Sequence, residues 1–179
     1  LALDAAGLDG VCGIVLLAAP GAPLGALMRD QIAAQPALAP LLSHYDAAMD
    51  LLLLGGTPAM ADLPVALRPI FSPENLVYLR ELALFRPAGV LAARELPVLI
   101  LHGGADIQVP AAQGDALAAA RPGVVREVLD GMTHTLKRVG DGDGDAALQA
   151  NLATYSDPSL PLHGDLVPAI AGFILGTDG

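Results

Sequence analysis

Two residues of this chain have the types and the placement that acid–base chemistry needs. Asp106 lies in PVLILHGGADIQVP, just past the apolar run Leu96–Leu101. His134 lies in VVREVLDGMTHTLK, just past the apolar run Val124–Leu129. A carboxylate that accepts a hydrogen bond from imidazole Nδ1–H fixes the tautomer, and Nε2 is then free to deprotonate a nucleophile. Asp106 and His134 therefore read as two members of a Ser-His-Asp relay. The same residues also fit a blander reading, a loop Asp in a turn beside an exposed or capping His, and spacing alone leaves both open. The third member would sit on a sharp G-x-S-x-G turn, and no such turn occurs in the chain.

The elements that must position the pair follow from the apolar runs. Val11–Ala19 is short, continuous and ended by Pro20-Gly21, so it predicts a buried strand. Val98–His102 and Val124–Leu129 predict two more, with a helix from about Pro110 to Ala120 between them. A strand, a helix and a strand with short loops give parallel strands and right-handed crossovers. Asp106 and His134 then fall beyond the carboxyl ends of their strands, where open parallel sheets bind ligands. Between the first two strands the character changes. Leu24–Ile32, Ala37–Leu54 and Leu76–Phe85 carry apolar residues at helical spacing, broken by prolines and Gly55-Gly56. Ser72-Pro73-Glu74 predicts a helix start, with Ser72 as its cap. A last helix, about Asp165–Leu175, places Leu166, Ile170, Phe173 and Ile174 on one face. The expected organisation is a core strand region at 1–20, a helical insertion at 21–95 and a carboxy-terminal core at 96–179, together one structural domain. The opening LALDAAGLDG reads as the tail of a helix entering a turn, and Asp141–Asp145 as a flexible acidic loop.

Bulk properties bound the function. The 179 residues are 54% hydrophobic and 16% charged, which argues against disorder. A net charge of −10 argues against nucleic-acid partners and anionic membrane surfaces. The longest uncharged stretch, Gly10–Met28, holds Pro20, Gly21 and Pro23, so no membrane span is expected. A single cysteine, Cys12, excludes an internal disulfide and a multi-cysteine metal site. No cofactor or metal is expected. The first residue is Leu rather than Met, so the natural start is expected to lie upstream, and the compartment stays undetermined.

Other polar residues compete less well. His102 closes a strand beside Gly103-Gly104 and is expected to pack under the acid loop. His44 and Tyr45 lie in the insertion, where a helix-surface position is favoured over a substrate pocket. His163 reads as structural. Cys12 lacks an elbow and is expected to be a small core residue. Among the serines, Ser72 reads as a helix cap and Ser159 as part of a Pro-flanked loop; Ser43 and Ser156 sit in no elbow either. DGDGDAALQANL imitates a calcium loop, but Ala146 stands where Gly is needed and Leu152 where the bidentate Glu belongs.

LPVLILHGGADIQVP resembles the strand and acid loop of α/β-hydrolases, and DGMTHTLKRV resembles their histidine loop. GIVLLAAPG is similar to the strand before the lid of that family. YSDPSLPLHGDLVPAIAGFI resembles the closing segment of bacterial esterase or serine-aminopeptidase-like members. The resemblance covers nearly the whole chain, as the carboxy-terminal portion of such an enzyme. It implies a partial α/β-hydrolase fold of about three parallel strands with flanking helices. It also implies an inserted helical lid, whose Leu51–Leu54 and Leu76–Phe85 would form an acyl pocket or the lid's own core. The implied activity is hydrolysis of a small-molecule ester, thioester or amide through an acyl-enzyme, with His134 as general base and then acid and Asp106 as its orienting partner. The chain departs from the family in lacking the nucleophile elbow and the oxyanion loop, which would precede Leu1, so these residues alone are expected to be inactive. One alternative is a non-catalytic fragment or subunit that pairs with a companion chain or a second copy through an exposed sheet edge. Another is part of an epoxide hydrolase or dehalogenase with an Asp nucleophile.

Overall fold

Three strands form one parallel sheet in the computed structural model, which describes residues 3, 7, 9–140 and 144–176. Most of the opening decapeptide, and residues 141–143 of the acidic loop, lie outside the described residues. Strand β1 is Ile14–Leu17, β2 is Val98–Gly103 and β3 is Val125–Leu129, in the order β1-β2-β3. Ile14 is level with Val98 and Leu17 with Leu101; Leu99 is level with Val125 and Gly103 with Leu129. The central strand is buried at every residue, as the unbroken run VLILH requires when a strand is paired on both sides and covered on both faces. β1 is shorter than the run Val11–Ala19 suggests. Ala18 turns into the left-handed region, at φ 47°, and ends the pairing. β3 differs as well: Val125 and Val128 are exposed, because β3 is an edge strand whose outer row has no neighbour among the described residues.

Helices cover both faces. Alternate residues of β2 point opposite ways. Leu99 and Leu101 meet Leu166, Ala169, Ile170 and Phe173 of the last helix, Leu166–Gly176. His102 faces the other way, against Gly114 of the helix Ala112–Ala120. On the last helix, Ile174 is 51% exposed instead of sharing the buried face with Leu166 and Ile170. At 3.6 residues per turn it lies about 80° round from Leu166, beyond the stripe that reaches the sheet.

Residues 22–86 form a compact unit of their own, inserted between β1 and β2. Its helices are α1 (Leu24–Ala34), α2 (Leu42–Leu53, entered through the 3-10 turn Ala39–Leu41) and α3 (Pro73–Leu84). The unit ends at Arg86, short of the expected boundary at 95. The next helix, α4 (Pro87–Ala92), packs against α5 (Ala112–Ala120) in the sheet unit. The inserted unit has its own core, built around Tyr45, Leu52, Leu67, Phe71 and Leu79. Tyr45 is therefore not a surface residue: it is 1% exposed, tilts against Phe71, and donates its hydroxyl to the Gly25 carbonyl at 2.8 Å. A buried phenol needs such an acceptor, and burial raises its pKa. His44 is exposed on the same helix. Of the leucines proposed for an acyl pocket, Leu52 and Leu79 belong to this core, whereas Leu51, Leu54 and Leu84 are exposed. Ser72 occupies the cap position of α3 but makes no capping hydrogen bond. The backbone N–H of Glu74, and after it the Ser72 hydroxyl, hold the Glu74 carboxyl below its ordinary range.

Candidate active site

The acid loop and the histidine loop are stitched together by backbone before any side chain takes part. Gly104 N–H donates to Leu129 O at 2.9 Å, and Ala105 N–H to Met132 O at 3.0 Å. Gly103 makes the approach possible, since a Cβ at that position would run into the Met132 carbonyl. One residue beyond Ala105 comes Asp106, and two beyond Met132 comes His134.

The two side chains meet. His134 Nδ1 lies 2.9 Å from Asp106 Oδ2. Asp106 Oδ1 accepts the backbone N–H groups of Gln108 and Val109, each at 2.8 Å. The Asp106 side chain is fully buried, while that of His134 is 30% exposed. Both carboxylate oxygens are thus placed as acceptors, which puts the imidazole hydrogen on Nδ1. No described residue hydrogen-bonds Nε2, which is free to exchange a proton with a partner. This arrangement can orient an imidazole, stabilise its protonated form and move one proton at Nε2.

The histidine loop is tightly closed. Leu136 N–H donates to Thr133 O and Thr133 N–H to Lys137 O, both at 2.9 Å. Leu136 stands at φ 64°, an uncommon conformation for a bulky side chain, so the surrounding contacts must over-determine it. One of them is His163 N–H to Leu136 O at 2.8 Å. His163 is structural in its ring too: Nε2–H donates to Asp130 O at 2.9 Å, and Nδ1 accepts the Asp165 N–H at 3.3 Å.

The other candidates lie elsewhere. His102 is fully buried, with Nε2 3.0 Å from Ala19 O; burial lowers its pKa, an effect the Ala19 bond partly opposes. Cys12 is exposed, not part of the core, because pairing starts only at Ile14. It stands near the amino end of the sheet, roughly 25 Å along the strands from the acid loop. Ser156 and Ser159 bond locally, to Ala153 O and to the Asp157 carboxylate. Ser43 is exposed on α2. None of these hydroxyls bonds His134. Among the described residues no cluster of three His, Cys, Asp or Glu could hold a metal ion, and no helix is long and apolar enough to cross a membrane.

Several residues around the pair carry no signal that sequence reading would single out. Tyr155 is one: partial burial and then the charge of Asp106 raise its pKa. Asn151 lies on α6 (Gly144–Ala153) and donates from Nδ2 to Ala105 O at 2.5 Å. A cavity of about 350 Å³ is lined by Ala105, Asp130, Leu148 and Asn151 among others. Neither Asp106 nor His134 lines it, so it is not where Nε2 would work.

No protein-family model matches this chain, and no curated protein matches it. Among solved structures, it is similar to the Mycobacterium tuberculosis H37Rv protein BpoC, described as a non-heme bromoperoxidase. The identity is 14% and the TM-score 0.48, over 94% of this chain and 59% of that one. It is also similar to Rv0554 of Mycobacterium tuberculosis, at 20% identity and a TM-score of 0.37, over 82% of this chain and 56% of that one. The chain thus spans less than two thirds of the length of either structure. Its own three parallel strands with flanking helices make a mixed α/β fold, in which the loops after β2 and β3 bring Asp106 and His134 together.

Proposed function

We propose that this chain carries the proton-handling half of a serine-hydrolase site acting on ester, thioester or amide bonds. One observation carries the reading: His134 Nδ1 faces Asp106 Oδ2 at 2.9 Å while two backbone N–H groups hold the other carboxylate oxygen. No described serine bonds His134, and this reading assigns the nucleophile and the oxyanion donors to a segment beyond these 179 residues. In the first half-reaction Nε2 takes the proton of the incoming hydroxyl as its oxygen bonds the substrate carbonyl carbon. The protonated imidazole then gives that proton to the leaving alcohol, thiol or amine as the carbonyl–leaving-group bond breaks. In the second, Nε2 takes a proton from water, which attacks the acyl group, and returns it to the nucleophile oxygen. Asp106 keeps its charge throughout and steadies the imidazolium. The inserted unit at 22–86 is assigned the role of lid. The outer row of β1 is assigned as the edge at which the nucleophile-bearing segment pairs.

Hydrolysis of p-nitrophenyl esters by the natural polypeptide that carries this chain tests the reading. Replacing His134 by Ala should lower kcat by about 10³-fold or more, the scale of losing a relay member. The 179 residues alone should give no turnover. An H134A polypeptide within twofold of the parent would refute the assignment.

A further inference from the structure

We infer that α6 and the turn after it form a positioning brace for the Asp106–His134 pair, latched by Lys137. The inference rests on the reading of that pair given above. Three separate contacts run from this one segment to the two loops. Asn151 Nδ2 donates to Ala105 O, the carbonyl just before Asp106. With the amide turned over, Oδ1 would face that carbonyl, so its orientation is set by the acid loop. Thr135, the residue after His134, donates its hydroxyl to Thr154 Oγ1 at 2.8 Å, and Thr154 donates to Asn151 O at 2.6 Å. Thr133 Oγ1 lies 3.0 Å from Thr135 Oγ1, and the Thr135 proton is already given to Thr154. Thr133 gives its own single proton to Lys137 O at 3.0 Å, so the one-way chain runs from Thr135 to Thr154 to the Asn151 carbonyl. Together with the Thr133 bond to Lys137 O, this chain brackets His134 on both sides, and each link polarises the next. Thr133, Thr154 and Asn151 are all nearly fully buried.

Lys137 closes the brace from the other direction. It is the only lysine of the chain, and it is half-buried. Its Nζ donates to Thr154 O at 2.8 Å and Asp157 O at 2.6 Å. Both carbonyls belong to the turn at the carboxyl end of α6, where a cation is favoured. The strained Leu136 stands between Lys137 and the loop's hydroxyl residue Thr135. Releasing the latch would let that strain relax at the expense of the His134 turn. Asn151, Thr154 and Lys137 touch neither the carboxylate nor the imidazole, so they act as positioning residues.

The test reads the His134 Nδ1–H proton by NMR, through its far-downfield resonance and its exchange with water. The His102 Nε2–H, which bonds Ala19 O and shares no hydrogen bond with the brace, serves as internal control. In Lys137→Met, Thr154→Val and Asn151→Ala, the His134 proton should exchange faster by about five- to tenfold, the size of one lost buried hydrogen bond. The His102 proton should not change, and Thr154→Ser should restore the parent rate. Unchanged His134 exchange in the folded variants would overturn the brace, as would equal acceleration of both protons. If the buried Asn151 and Thr154 variants fail to fold, K137M carries the test. A K137M chain that does not fold makes Lys137 a general structural residue and also overturns the latch. Failure of the underlying reading looks different: the parent chain would then show no hydrogen-bonded His134 Nδ1–H at all.

Discussion

Replacing Asp106 in two ways separates its structural duty from its duty to His134. The carboxylate has three donors: the Val109 N–H, the Gln108 N–H and His134 Nδ1–H. Ala removes the acceptor from all three. A buried donor left without its acceptor costs ~1–3 kcal/mol, and only part of that is recovered by no longer burying a charge. Val109 lies in the core and bears the full cost; Gln108 and the 30%-exposed His134 can draw on water, which puts D106A at about 3–5 kcal/mol of destabilisation. Asn keeps an oxygen for the two backbone amides and loses only the charged bond to the imidazole, so D106N should cost about 1–2 kcal/mol. The amide also presents N–H toward Nδ1, two donors face to face, and the imidazole hydrogen must move to Nε2. Urea unfolding gives the two stabilities. Long-range ¹H–¹⁵N correlation of the neutral ring gives the tautomer. The parent should show Nδ1–H and D106N should show Nε2–H. Equal costs for the two variants, or an Nε2–H tautomer in the parent, would refute the role assigned to each oxygen.

Two further outcomes test the packing beneath the site. Gly114 sits inside α5, where Ala is normally worth ~1 kcal/mol of helix stability, yet a Cβ there would lie 2.6 Å from Nδ1 of the pinned His102. Overpacking costs about 1–3 kcal/mol and outweighs the propensity, so G114A should lower the urea midpoint; a raised midpoint would contradict this. His102 gives a pH dependence of known sign. Burial lowers its folded-state pKa below the unfolded value near 6.5, so the unfolded chain binds the extra proton. Its contribution is complete above about pH ~6.5 and is lost as the pH falls from there through the lowered folded value. Urea midpoints from about pH 7.5 down to ~5 should therefore decline less steeply in His102→Gln, which keeps a donor for Ala19 O; parallel curves would show that His102 does not titrate this way.

The acid and the histidine were legible in the sequence because their loops follow strand-like runs, and parallel β-α-β units return such loops to one edge. Gly103 was legible only as punctuation; its use, letting the Met132 carbonyl close on β2, needs a third dimension. Cys12 and Tyr45 were misread for opposite reasons. Cys12 lies next to an apolar run, but strand pairing begins two residues later. Tyr45 carries a hydroxyl that suggests solvent, but Gly25 on a neighbouring helix supplies its acceptor. Both depend on contacts between segments that periodicity does not encode. The brace is the extreme case: Asn151, Thr154 and Lys137 have no motif, and α6 is short and weakly patterned. What selects them is the position of two backbone carbonyls on other loops, at Ala105 and Thr154.

The contacts that fix the pair all arise between residues 103 and 163. Gly104 and Ala105 tie the acid loop to Leu129 and Met132. Gln108 and Val109 hold the carboxylate. Asn151 holds the acid loop at Ala105 O, and Thr133, Thr135, Lys137, Thr154 and His163 hold the histidine turn. None of them requires the nucleophile, the oxyanion donors or the inserted helical unit. A half-site of this kind is preorganised before its partner arrives. On the proposed reading, the nucleophile hydroxyl has only to be brought within a hydrogen bond of Nε2, without bearing the entropy of ordering a loop at the same time. That makes the absence of a serine elbow in this sequence compatible with a functional Asp106–His134 geometry.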